Sequence, residues 1–262
     1  MSSSRSQRLQ IAQTTLDAIK NGSFIKDNQV VYKLPTLVRD TILYQPSDLS
    51  NWRSLSSTAV VVCNNTPEIS ILQISTLEAA ALLKDKLEES ASGSRIGVLN
   101  FASATKPGGG FLSGAQAQEE TIARSSTLYP SLISDTAKDF YATHKKDNRG
   151  CYYTHSIIWS PDIMVFRNDH GDWHDPYSIN IVTCPAVNAG VIRQRAVDLV
   201  QEEIRIETVM RERMSRILHV FKIHGVKNLV LGSFGTGVFK NSISMVARLW
   251  EFKRVFEQVT SE

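Results

Sequence analysis

Residues 95–120 read RIGVLNFASATKPGGGFLSGAQAQEE. The first eight form a short apolar run of strand length, closed by the polar loop that begins at Ser103. Three consecutive glycines follow, Gly108, Gly109 and Gly110. A triplet of this kind costs chain entropy. A fold keeps it where the backbone takes positive φ or where another group must come close to the main chain; a mobile turn is the plainer alternative. Residues 115–124 then read as a helix with two adjacent acids, Glu119 and Glu120, four and five residues inside it. Neighbouring helical residues point about 100° apart, so one of these acids can look back into the glycine loop.

Outward from this stretch the strand-then-loop pattern recurs. INIVTCPA (179–186) runs into Val187-Asn188-Ala189-Gly190, and KNLVLGSF (227–234) into Gly235-Thr236-Gly237-Val238-Phe239-Lys240-Asn241, ahead of a helix starting near Ser242. A glycine-rich turn from strand to helix presents free backbone N–H groups and the positive end of a helix dipole, which suits a diphosphate. The dinucleotide pattern GxGxxG would need glycine at 240, where Lys240 stands, and GxxxxGK[ST] has no match in this loop. Three small-residue loops at the carboxyl ends of strands form the kind of crevice in which open α/β sheets bind ligands. The ligand expected here carries phosphates.

The remaining pattern agrees with that class. Residues 7–20 predict an amphipathic helix stopped by Asn21-Gly22, with a strand at 30–34. Strands are also expected at 58–64 and 156–166, and helices at 75–90, 195–223 and 242–258. Apolar strands alternating with helices imply an α/β protein with a mainly parallel sheet covered on both faces. With 262 residues, 42% hydrophobic and 21% charged, the chain can bury a sizeable core. A net charge of +3 is too mild to mark a nucleic-acid binder. Cys63, Cys151 and Cys184 are odd in number and far apart, against a disulfide framework or a zinc site, and a reducing compartment is the default. No apolar run approaches the roughly 18–20 residues of a membrane span and no secretion signal is read, so an intracellular protein, cytoplasmic or nuclear, is expected. The Ser- and Arg-bearing, acid-free start hints at a transit peptide, but Leu9, Ile11, Ala12, Leu16 and Ile19 fall near helical spacing. His170 and His174 stand in an Asn-, Asp- and Gly-dense stretch read as a hairpin turn in preference to a metal site.

Taken together these residues resemble the bacterial-type poly(ADP-ribose) glycohydrolases, a branch of the macrodomain fold. Their signature of three glycines, six to eight residues and Gln-Glu-Glu stands here as Gly108-Gly109-Gly110, seven residues and Gln118-Glu119-Glu120. The flanks VLNFASATKPGGGF and Ala123-Arg124-Ser125-Ser126, the loop Gly232 to Asn241, the loop Pro185 to Gly190 and the opening RLQIAQTTLDAIKNGSF are similar too. The resemblance implies a single three-layer α/β/α domain with a mixed, mostly parallel sheet, in which residues 1–57 form an N-terminal helical extension and 58–262 the core. It implies hydrolysis of ribose–ribose bonds in poly(ADP-ribose), with Glu120 as general acid and base and Glu119 holding ribose hydroxyls. By the same resemblance, Gly108, Gly109, Gly110, Gln118 and Asn100 contact substrate, Gly235, Thr236, Gly237 and Val238 wrap the diphosphate, and Phe239 packs on the terminal ribose. Asn100 fits equally a strand-end cap, and Lys106 a solvated loop cation. Neither metal nor organic cofactor is implied. The partners expected are poly(ADP-ribose), ADP-ribose and ADP-ribosylated proteins, met by a monomer. Three rival readings share the sequence: a macrodomain that binds ADP-ribose without cleaving it, a hydrolase of another ADP-ribosyl linkage, and cysteine chemistry at Cys184 with His155.

Overall fold

The computed structural model describes residues 4–27, 30–34, 40–52, 68–89, 94–146 and 150–251. The expected strand at 58–64, the end of the helix expected over 242–258 and Cys63 lie outside them.

Helix α1, Arg5–Asn21, starts on a capping box in which Ser4 and Gln7 exchange hydrogen bonds, and it ends on Gly22 at φ 66°, the left-handed stop read from Asn21-Gly22. A ribbon follows, β1 (Ser23–Lys26) antiparallel to β2 (Val30–Lys33). The main sheet has five strands: β3 (Ile42–Tyr44), β4 (Ile96–Phe101), β5 (Ile157–Arg167), β6 (Trp173–Cys184) and β7 (Asn228–Val230), in the order β3-β5-β6-β4-β7. β4 runs parallel to β6 and β7, whereas β5 is antiparallel to β6 and to β3. The sheet is therefore mixed, and less parallel than strand–helix alternation implies. The difference arises at the Asn168–Asp172 turn, where Asn168 accepts hydrogen bonds from the backbone of His170 and Asp172 and Gly171 sits at φ 93°, so that β5 and β6 close as a hairpin. Within the stretch expected as a helical extension, 1–57, only α1 is a long helix among the described residues. Ile42–Tyr44 joins the main sheet as its edge strand, a placement absent from the sequence expectation because three residues with mixed exposure carry no readable period.

Alternation along the strands builds two cores. Leu99, Ile157, Trp159, Val182 and Cys184 face one side, where they meet α7 (Leu199–Ile223) and α8 (Ile243–Trp250) through Ile206, Met210, Met214, Ile217, Met245 and Leu249. Val98, Ile158, Ile179 and Ile181 face the other. There they meet α2 (Thr76–Glu89), α3 (Gln118–Ser125), α4 (Leu128–Leu132) and α5 (Asp135–Lys146) through Leu77, Ile122, Leu128, Leu132 and Phe140. On β5 the parity switches after a register shift between Ser160 and Ile163, so that Ile163 and Val165 join Ile158 on the same face. Covering both faces leaves the carboxyl ends of β4, β6 and β7 as the place where loops meet. α6 (Ala189–Arg195) begins just past β6, capped by the Asn188 side chain.

Candidate active site

The loop after β4 is drawn tight by its glycines. Gly108 and Gly109 sit at φ 66° and 59°, Phe111–Ser113 makes one 3-10 turn, and Gly114 closes it at φ 73°. Residues 115–117 stay outside the helix and α3 begins only at Gln118, so both acids fall in its first turn, not four and five residues inside a helix begun at 115. There the positive end of the helix favours their charge. Gln118 explains this start. Its amide donates to Leu99 O at 2.7 Å and Thr76 Oγ1 at 3.2 Å, and its carbonyl accepts from Phe101 N at 2.8 Å. The side chain expected to contact substrate spends both polar ends on the end of β4 and on α2. Its part here is to fix where α3 begins.

Both carboxylates are buried, Glu119 at 3% and Glu120 at 8% exposure. Glu119 lies inward. It accepts from Ser103 N at 2.7 Å and from Asn100 Nδ2 at 3.4 Å, and the same amide reaches Thr183 Oγ1 on β6 at 3.2 Å. Asn100 thus orients the acid and is not a strand-end cap. Glu120 Oε1 accepts from Gly110 N at 2.7 Å, while Glu120 Oε2 is buried with no hydrogen-bond partner among the described residues. The glycine requirement is now physical: a Cβ on Gly109 would collide with the Glu120 carboxylate and stand 3.1 Å from that of Glu119. Burial pushes the Glu119 carboxyl up to about 8; the charge of Glu120 adds to this, and the Ser103 and Asn100 hydrogen bonds oppose it.

That shift has a stability consequence. A carboxyl raised in the folded state favours folding most below its unfolded value near 4.5, and this contribution is lost as pH climbs through about 8. Glu119→Gln removes the titration. Wild type should therefore lose stability relative to this variant between about pH 5 and 8, by at most about 1.4 kcal/mol per pH unit. Urea unfolding at pH 5, 6.5 and 8 checks it; a difference that stays constant with pH would contradict the burial argument.

Three guanidinium groups grip the loop between the glycines and the acids, and the sequence reading missed them. Ser113 O accepts from Arg5 Nε at 3.0 Å, Gly114 O from Arg8 Nε at 2.8 Å and Ala115 O from Arg124 Nη1 at 2.6 Å. Ala115 N in turn donates to Gly110 O at 3.1 Å, and Gly110 N is the donor that holds Glu120. α1 is further tied to α3 by Thr15 Oγ1, which donates to Arg124 O at 2.6 Å. The available signal was spacing: Arg5 and Arg8 share one helical face, and Arg124 stands one turn after Glu120.

Across the crevice, the loop after β7 turns its backbone outward. Gly235, at φ 73°, is pressed against Ala186 and Asn241, so that any Cβ there collides. The N–H groups of Gly235, Gly237, Val238 and Phe239 have no hydrogen-bond acceptor among the described residues. Thr236 differs: its N–H and hydroxyl both donate to Ser233 O, at 3.2 and 3.0 Å, which ties down the side chain expected on the diphosphate. Phe239 lies 6.1 Å from Tyr153, a residue held at φ 56° with its carbonyl on the buried Arg213, which also binds Pro185 O at 3.0 Å. Cys184 is fully buried and burial pushes its thiol up to about 12, which leaves no thiolate for nucleophilic chemistry near neutral pH. Among the described residues no cluster of His, Cys, Asp or Glu is placed to hold a metal ion, and no helix is long and apolar enough to cross a membrane.

A mixed α/β sheet with strand-end loops that pair a buried acid dyad with a cradle of free N–H groups is the arrangement of a hydrolase acting on a phosphate-bearing sugar. A family profile described as "Microbial-type PARG, catalytic domain" matches residues 12–168, more than half of the chain. The poly(ADP-ribose) glycohydrolase (PARG) crystal structure from Thermomonospora curvata superposes with a TM-score of 0.84 at 34% identity, covering 97% of this chain and 91% of that one. The same enzyme bound to the inhibitor ADP-HPD gives 0.79 at 35% identity, covering 94% and 85%. Deinococcus radiodurans poly(ADP-ribose) glycohydrolase in complex with ADP-ribose gives 0.74 at 34% identity, covering 87% and 89%. Among curated proteins no match is found. The chain belongs to the microbial-type PARG catalytic-domain family, and its activity is the hydrolysis of poly(ADP-ribose).

Proposed function

We propose that the chain cleaves the ribose–ribose O-glycosidic bond with Glu120 as its acid and base, and that it releases ADP-ribose held between the two glycine loops. The observation that carries this is the Glu120 carboxylate, fixed at one oxygen by Gly110 N and unpartnered at the other among the described residues, beside a neighbour that burial keeps protonated at neutral pH. The dyad thereby carries a proton into the reaction. As the bond from the anomeric carbon to the leaving oxygen breaks, Glu120 gives that oxygen a proton; the resulting carboxylate takes one from the water that adds to the carbon. Its negative charge, close to an oxocarbenium-like carbon, lowers the barrier further. Glu119 and Asn100 would position the ribose hydroxyls, and the N–H groups of Gly235, Gly237, Val238 and Phe239 would take the diphosphate oxygens. The arginine grip on residues 113–115 keeps Gly110 N aimed at Glu120. The polymer would be met on ADP-ribosylated proteins.

Incubation with poly(ADP-ribose) and detection of free ADP-ribose tests the reaction. For the cradle, ADP-ribose should stabilise the fold by about 2.7 kcal/mol at a hundredfold excess over Kd, read as a rise in Tm. Equal stabilisation by inorganic phosphate would count against a built nucleotide site. Gly237 gives a cleaner mutational test than Gly235, because a Cβ there meets nothing within 4 Å and its φ is not positive. Gly237→Val should keep the Tm within about a degree and weaken ADP-ribose at least about tenfold, since its branched side chain projects beside N–H groups that would meet phosphate. Wild-type affinity in that variant, measured by calorimetry, would remove the loop from the site.

A further inference from the structure

We infer that the groove between the glycine loop and α5 binds the ADP-ribose unit next to the one being released, so that the polymer is held on both sides of the scissile bond. This rests on the reading of Glu120 as the acid. The groove encloses about 450 Å³ and is lined by Pro107, Ile133, Lys138, Tyr141, Lys145 and Lys146, among others. Pro107 immediately precedes Gly108, so one wall of the groove is the loop whose other side receives the two acids. Positions 138, 141 and 145 recur at three and four residues along α5 and thus share one face of it. The C-terminal end of α5 in turn reaches toward the cradle, since His144 stacks edge-on against Tyr153 and Tyr153 lies beside Phe239.

The chemistry of the groove matches one nucleotide unit. Pro107 and the half-exposed Ile133 offer the apolar surface that a flat base covers, and the rim is cationic. Lys138 pairs with Asp135, but Lys145 and Lys146 are exposed and have no ion pair among the described residues. Tyr141 is 4% exposed, and its hydroxyl is buried without a hydrogen-bond partner among the described residues, an arrangement that a ligand hydroxyl or phosphate would complete. Burial, and after it the charge of Glu119, pushes that hydroxyl well above the ordinary tyrosine value. Each unit of the polymer carries a diphosphate, so these two lysines beside an apolar wall complement both halves of it.

The test uses the full chain with poly(ADP-ribose) of defined length. Lys145→Glu/Lys146→Glu should raise the KM for polymer at least about tenfold with kcat at saturation within about twofold, and the dependence of log KM on log salt should become shallower by about one to two. The Kd for monomeric ADP-ribose should stay at the wild-type value, because the monomer occupies the cradle alone. Lys145→Gln/Lys146→Gln, which spares the C-terminal end of α5 from acids, should show the same pattern with a smaller KM change. Lys222→Glu/Lys227→Glu places the same change of charge near the start of β7, at the opposite end of the parallel strands, and serves as the control for net charge. An unchanged polymer KM in the Lys145/Lys146 variant, an equal rise in the Lys222/Lys227 variant, or a matching loss of ADP-ribose affinity would each overturn the groove. Wild-type protein that releases no ADP-ribose at all would instead remove the catalytic reading, and this one with it.

Discussion

Glu120→Gln is expected to lower turnover of poly(ADP-ribose) by at least the roughly 10²–10⁴-fold attributed to general acid–base catalysis, and to leave the fold and most of the ADP-ribose affinity in place. Glutamine has nearly the same shape, and its amide oxygen can still accept from Gly110 N in the place of Oε1, so the loop keeps its conformation. What is lost is the proton for the leaving oxygen and the negative charge beside the anomeric carbon. Steady-state release of ADP-ribose, together with calorimetric affinity for it, separates the outcomes. Wild-type turnover would assign the proton to another group. Comparable losses of turnover and affinity would indicate that the side chain binds rather than reacts. Glu119→Gln should behave differently, losing turnover together with affinity for the sugar, since its part is to hold hydroxyls. Since Glu119 gives up its proton as pH passes about 8, its hold on the sugar changes there, and wild-type kcat/KM should also decline.

What the sequence shows of this site is what sits in short-range pattern. Gly108-Gly109-Gly110 and Gln118-Glu119-Glu120 are contiguous motifs with a fixed gap, and the strands before the loops that begin at Ser103, Val187 and Gly235 are apolar runs whose length and ends are visible. The start of α3 was legible only to within three residues. Ala115 and Ala117 are good helix formers, and nothing local reports that Arg124 and the Gly110 carbonyl hold residue 115 in the loop. Gln118 shows the same limit from the other direction. Its position in the motif suggests a ligand contact, while its hydrogen bonds to Leu99, Phe101 and Thr76 depend on a helix and a strand far from it in the chain. The grip of Arg5 and Arg8 on residues 113 and 114 joins segments more than a hundred residues apart, which no window of sequence contains. Tyr153, placed beside Phe239 by a left-handed backbone, was hidden because that conformation is rare for tyrosine and no local residue encodes it. The mixed sheet was partly legible: the turn at 168–172 could be read, but the pairing of Ile42–Tyr44 with β5 could not.

The other large effect is expected at Gly109, where two costs of different kind fall on one residue. Its φ of 59° penalises any side chain by about 1 kcal/mol, a loss of stability that alone leaves the acids where they are. The second cost is steric. A methyl group at this position would meet the Glu120 carboxylate and approach that of Glu119 to 3.1 Å, so one or both must move. Displacing a reacting group by about an ångström costs on the order of a hundredfold in rate. Gly109→Ala should therefore lose at least that much kcat while its Tm falls by only a few degrees. Gly225 separates the two costs, because it has φ 68° and a Cβ added there would meet nothing within 4 Å, at the turn that follows α7 and far along the strands from the acids. Gly225→Ala should show a similar fall in Tm with kcat intact. In the Glu120→Gln background, Gly109→Ala should reduce the residual rate by much less than it does in wild type, since both changes disable the same carboxylate and their effects cannot add. Full additivity in that cycle, or wild-type kcat in Gly109→Ala alone, would mean that the glycine loop does not hold the acid in its working position.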